Sequence, residues 1–270
     1  MAVESFLADI TRSIAGEGVS VSSLIEEGMD PHTFEPTPRD IVAISESRLL
    51  IINGAGLESW LNKMLDLKSI TIPVIEASSG LTPRTPSSGE LVDESTDPHF
   101  WLNPINVKTY VTNIRDALIE MDPAGRKIYE KNAEYYLLQL DDLNTWIAGQ
   151  VTQIPPENRL LVTNHESFGY FADHYGFEIV GTIIPSVSTG AMPTAQQLTD
   201  LIQKIKSTHA RAIFLEAGTN PELAQTIATE TGVTIVTGLL THSLTGPGGP
   251  ADTYIDMMKY DTQLIVDVLK

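Results

Sequence analysis

The chain has 270 residues, 42% of them hydrophobic, and a mean hydropathy of −0.01, the balance of an ordinary soluble globule with room for one large domain or two lobes. Its 35 acidic against 17 basic residues leave a net charge of −18, which repels nucleic acid and anionic lipid headgroups and concentrates cations. With no cysteine, disulfides, thiolate zinc sites and cysteine nucleophiles are excluded together, and no stretch approaches the ~18 apolar residues that a membrane span requires.

The opening stretch MAVESFLADITRSIAGEGV lacks the basic segment and apolar core of a signal peptide. A loop, GMDPHTFEPT, leads into the helical stretch PRDIVAISES. Next come a strand in SRLLIIN (47–53), a Gly-containing turn, a helix in LESWLNKMLD (57–66) and a strand in SITIPVIEAS (69–78). This alternation is the pattern of βαβ units around a mostly parallel sheet. Residues 78–98, rich in Ser, Gly and Pro, read as an exposed, mobile loop, and a helix follows from near Val107.

Residues 123–151 have no interior proline and carry Ile128, Tyr135, Leu138, Leu143, Trp146 and Ile147 at helical spacing. They predict one helix of roughly 40 Å, stiff enough to make large hinge motions unexpected. A second α/β set then opens at NRLLVTN (158–164). It continues through ESFGYFADHYG, FEIVGTII, TAQQLTDLIQKIK, RAIFLEAG, PELAQTIATETG and VTIVTG to a last helix from about 252. The expected architecture is α/β with two lobes, 1–122 and 152–270, each a mostly parallel sheet flanked by helices and joined by the helix 123–151.

Of six histidines, two follow the same Asp-Pro pair: His32 in GMDPHTFEP and His99 in STDPHFWLNP. Proline fixes the backbone ahead of the imidazole, so a loop can present the ring at low entropic cost. Both are assigned to loops of the first lobe. His165, at the end of LLVTN, and His242, past VTIVTG, fall at the carboxyl edge of the second sheet, where α/β folds bind ligands. Imidazole is the commonest protein ligand for zinc and related metals, so these four point to a metal site in a cleft between the lobes. Glu216, ending AIFLE, reaches the same rim as a ligand or as an acceptor for a histidine N–H. His174 on a helix and His209 in a connection read as structural or exposed. HExxH, GxSxG and glycine-rich phosphate-loop motifs are absent from the sequence.

Several of these stretches, IAGEGVSVSSLIEEGMDPHTFEPTPRDI, INGAGLESWLNKML, DPHFWLNP, TNHESFGYFADHYG and TYIDMMKYDTQLI, together resemble the metal-binding receptors of bacterial ABC transporters for zinc and manganese. That family includes zinc-uptake receptors and streptococcal lipoprotein adhesins. The resemblance implies two α/β lobes joined by a rigid helix, with a metal bound between them for delivery to a membrane permease. It places the family's first three ligands on His32, His99 and His165. Histidine at 165 is more like the zinc-handling members. The fourth ligand, usually an aspartate in a TDSL-like stretch, falls on His242 of THSL. The site is then all-histidine, or His242 swings away, or Glu216 or water completes it. No histidine-rich capture loop precedes His99. The family's signal sequence and first β-strand are expected to be missing ahead of MAVESFLADI.

The leading expectation is an extracytoplasmic, monomeric solute receptor for Zn(II), with Mn(II) possible, serving an ABC permease and performing no catalysis. A metal-dependent hydrolase is the alternative, since three histidines and an open position also describe catalytic zinc; Glu166 and Glu35 would be its candidate bases. An adhesin role is compatible with the same fold.

Overall fold

The computed structural model describes residues 1–66, 71–84 and 96–270. The start of the strand expected from 69 and most of the loop expected over 78–98 lie outside the described residues.

The chain divides into two compact units. One comprises 1–82, 104–144 and 242–257; the other comprises 83–103, 145–241 and 258–270. The units are interleaved in the chain, where contiguous segments 1–122 and 152–270 were expected. The segment that carries His99 therefore belongs to the second unit and the segment that carries His242 to the first.

In the first unit, β1 (Leu50–Ile52) pairs in parallel with β2 (Val74–Glu76). The opening residues, expected to lie just past a first strand, themselves pair with β1: Val3 N donates to Ile51 O and Ile51 N to Met1 O, each at 2.9 Å. On their other side, Ala2 bridges Ser23 in parallel. Around this sheet stand α1 (Ser5–Ala15), α2 (Pro38–Ser45), α3 (Ser59–Asp66) and α4 (Pro104–Met121). Helix α2 starts where it does because Thr37 and Asp40 cap each other, Thr37 N donating to Asp40 Oδ2 at 2.8 Å, with Pro38 pre-set at the first helical position. The core joins Val3, Leu24, Phe34, Ile44, Leu50 and Leu61.

The second unit holds a four-stranded, all-parallel sheet in the order β4 (Glu178–Ile184), β3 (Leu160–His165), β5 (Ala212–Glu216), β6 (Thr234–Leu239). The central strands β3 and β5 are buried over nearly their whole length, as expected for parallel strands covered on both faces. Helices α6 (Gly169–Tyr175), α7 (Ala195–Thr208) and α8 (Glu222–Thr231) connect them. Parallel order puts every strand's carboxyl end on one edge, so His165 and Glu216 arrive there on neighbouring strands.

Helix α5 (Arg126–Val151) follows a 3-10 turn at Pro123–Gly125; α9 (Tyr254–Leu269) closes the chain. The face that α5 buries matches the expected one at Leu143 and Ile147 and differs from it earlier in the helix. Ile128, Tyr135 and Leu138 are 54%, 65% and 60% exposed, while Tyr129, Ala133, Tyr136, Leu140, Leu143 and Ile147 are buried. These recur every three or four residues and form a continuous stripe. Ile128 and Leu138 stay outside it while Ala133 is buried, because the stripe is chosen by what packs against it.

Candidate metal site

The repeated DPH motif has one local geometry. Asp30 Oδ1 accepts a hydrogen bond from His32 N at 2.9 Å, and Asp97 Oδ1 accepts one from His99 N at 3.0 Å. Each aspartate thus closes a turn over the proline and fixes the backbone of the histidine two residues on.

In the first unit, His32 Nε2 lies 3.1 Å from His242 Nε2, with the rings at 89°. Their loops are joined by Gly28 N donating to Ser243 Oγ at 2.8 Å, and the His242 loop is tied to the start of α1 by Leu244 N donating to Ser5 Oγ at 2.9 Å. Gly28 has φ +83, a left-handed conformation that suits glycine there.

In the second unit, His99 Nε2 lies 3.1 Å from His165 Nε2, and both residues are fully buried. The expected partnering is exchanged: His99 was assigned to the first lobe with His32, and His242 to the second with His165. Each unit still holds two.

The far nitrogens of the second pair are engaged. His99 Nδ1 is 2.8 Å from Asp97 Oδ1, and His165 Nδ1 is paired with Glu216 Oε1. Glu216 therefore takes the role of acceptor behind a histidine. Both Asp97 oxygens face N–H groups, since Oδ2 is 3.4 Å from Arg84 Nη1. Burial pushes the Asp97 carboxyl up to about 7, opposed by the His99 backbone N–H and Arg84. With the Nδ1 protons directed at carboxylates, each Nε2 presents a lone pair. Two lone pairs facing each other at 3.1 Å repel, and a cation between them converts that repulsion into coordination.

The remaining candidates stand elsewhere. His174 is exposed on α6. His209 terminates α7 in the left-handed conformation at φ 59. Glu166 forms an ion pair with Arg84 at 3.3 Å, and Glu35 is exposed. Two participants went unread in the sequence. Asp97 was signalled by the DPH repeat itself; Arg84 carried no signal.

The family model of the periplasmic zinc-uptake complex component A, ZnuA, matches residues 1–268. The manganese-binding lipoprotein MntA of Halalkalibacterium halodurans is 37% identical, over 98% of this chain and 86% of its own. The iron-binding protein YfeA of Yersinia pestis is 32% identical, over 97% of this chain and 83% of its own. Among solved structures, the periplasmic zinc-binding protein TroA of Treponema pallidum superposes with a TM-score of 0.91 at 25% identity, covering 99% of this chain and 97% of that one. The chain belongs to the ZnuA family of metal-binding, substrate-binding proteins of zinc and manganese ABC transporters, which are transport receptors and not enzymes.

Proposed function

We propose that this receptor captures Zn(II) in preference to Mn(II), using His32, His99, His165 and His242 as a single four-imidazole shell, and passes the ion to an ABC permease. The observation that carries the reading is the His99–His165 pair, whose Nε2 atoms face each other at 3.1 Å while both Nδ1 atoms are taken up by carboxylates. With Zn–N about 2.0–2.1 Å, that separation corresponds to an N–Zn–N angle of about 98°, within reach of a distorted tetrahedral shell. Two nitrogens are too few for zinc, which takes four ligands in closed sites. The second pair, with the same 3.1 Å separation, supplies the other two.

The relatives are named for manganese, iron and zinc, so their names do not settle the cargo and the donor set has to. Nitrogen donors favour zinc, whereas manganese prefers oxygen and more ligands. Among the described residues no helix is long and apolar enough to cross a membrane, and relatives are lipoproteins or periplasmic proteins. We place the protein outside the cytoplasm, acting as a monomer. The hydrolase alternative falls with the family assignment.

The test is metal analysis of protein purified without added metal, followed by Zn(II)/Mn(II) competition monitored with a chelator. Zinc is expected to be retained and to displace manganese. Retention of manganese under equimolar competition would overturn the preference, and wild-type affinity in both His32→Ala and His99→Ala would overturn the ligand set.

A further inference from the structure

Arg84 lies outside every motif of the sequence, yet the histidine pair of the second unit is organised around it. Its side chain is 10% exposed and meets three carboxylates. Nε donates to Asp173 Oδ2 at 2.9 Å, and Nη1 approaches Asp97 Oδ2 at 3.4 Å and Glu166 Oε1 at 3.3 Å. Two of those carboxylates are tied to the pair, one by contact with a ring and one by its place in the chain. Asp97 turns its other oxygen to His99 Nδ1, and Glu166 is the residue after His165. The backbone is fastened at the same place: Arg84 N donates to Tyr170 Oη at 3.0 Å, and Tyr170 Oη donates to Asp97 O at 2.8 Å.

Gly169 supplies an independent observation. It is the first residue of α6, where alanine would be the better helix former. A Cβ at that position would lie 1.9 Å from Arg84 Nη1 and 2.4 Å from its Cζ. Any side chain at 169 would therefore displace the guanidinium from its place against the start of the helix.

We infer that Arg84 is a positioning residue for metal capture: by gripping Asp97 and Glu166 together it presets the separation of the His99 and His165 nitrogens, so the ion meets a pair that does not have to reorganise. The inference rests on the reading of His99 and His165 as ligands. A planar guanidinium with five donors serves three carboxylates at once, which a lysine ammonium at the end of a flexible stem does not reproduce.

The test uses the full chain stripped of metal, titrated with Zn(II) against a chelator and with Co(II) as a spectroscopic probe of ligand geometry. Arg84→Gln is expected to weaken Zn(II) binding about 10–100-fold, the scale for groups that orient metal ligands, and to alter the visible Co(II) spectrum. Arg84→Lys should recover only part of both. Gly169→Ala should reproduce the defect in the native background and add nothing in the Arg84→Gln background. A stitch that served stability alone would lower the melting temperature and leave the Co(II) spectrum unmoved, and that result, or additive effects of the two substitutions, overturns the inference. If Arg84→Gln fails to fold, Arg84→Lys and Gly169→Ala decide the matter by the same spectrum. His99→Ala separates the two levels. Unchanged metal binding in that variant sinks the ligand assignment itself. Lost binding there beside a silent Arg84→Gln sinks only the positioning role.

Discussion

At His242 an imidazole stands where the resemblance to metal receptors leads one to expect a carboxylate, so the proposed shell has one negative charge fewer. His242→Asp should restore an oxygen donor and shift the Zn(II)/Mn(II) affinity ratio toward manganese. Titration calorimetry with each metal reads that ratio, and an unmoved ratio would take His242 out of the shell. Behind His165, Glu216 acts through charge as well as through hydrogen bonding. An amide at 216 can still accept from Nδ1 but no longer makes the ring a stronger donor. Glu216→Gln is expected to weaken Zn(II) binding about 10–100-fold with the fold intact. Chelator competition alongside circular dichroism checks both halves of that statement.

Among the elements, α5 separates what an apolar residue is from what it does. Leu138 is 60% exposed and Leu140 fully buried, two positions apart on one helix. Leu140→Ala should cost about 2–5 kcal/mol through lost burial and the cavity left behind, whereas Leu138→Ala should stay within about 0.5 kcal/mol. Urea unfolding of the metal-free protein distinguishes them, and equal losses would mean that the helix packs through a different face. The turn ahead of α5 is equally constrained, since a Cβ on Gly125 would sit 2.4 Å from the Tyr129 ring. The expected elements were recognisable in outline because period-two and period-3.6 patterns are local. The face of α5 was recognisable at Leu143 and Ile147 but not over its first half, since the stripe depends on partners far away in the chain.

For the molecule as a whole, stability and metal binding depend on pH in opposite directions. Asp261 is buried and accepts from Leu240 N at 2.9 Å; burial pushes its carboxyl up to about 8. From about pH 4 upward the unfolded chain has lost this proton while the native protein keeps it, so the native state binds more protons. The group's contribution to stability is therefore present at low pH and lost as pH rises through about 8. Asp261→Asn removes that dependence, so the metal-free variant should gain stability relative to the parent chain between about pH 5 and pH 8. Thermal unfolding in chelator measures the difference, and a gain that shrinks with rising pH would contradict it. Metal binding needs neutral imidazoles and should fade below about pH 6.5. Zn(II) at 100 times its dissociation constant should add about 2.7 kcal/mol of stability at neutral pH, and that increment should vanish near pH 5. The same melting curves recorded with zinc would show it.

The sequence by itself determined the α/β class and the four histidines as candidates, because both are written in short-range patterns. A parallel strand is a buried run between turns, and DPH encodes a turn closed within three residues, whose aspartate holds the histidine backbone in place. The strand ends at His165 and Glu216 followed from the same local reading. Only the tertiary structure decided which histidines are partners. His99 and His242 lie between the regular elements, and such a stretch joins whichever unit packs against it, a choice made by contacts that no local pattern encodes. Arg84 shows the limit most plainly. It is 13 residues from Asp97 and 82 from Glu166, and its flanking sequence resembles any polar loop. Its role arises because two buried carboxylates need a cation and hydrogen-bond donors once water is excluded, and the need for such a cation exists only after the chain has folded.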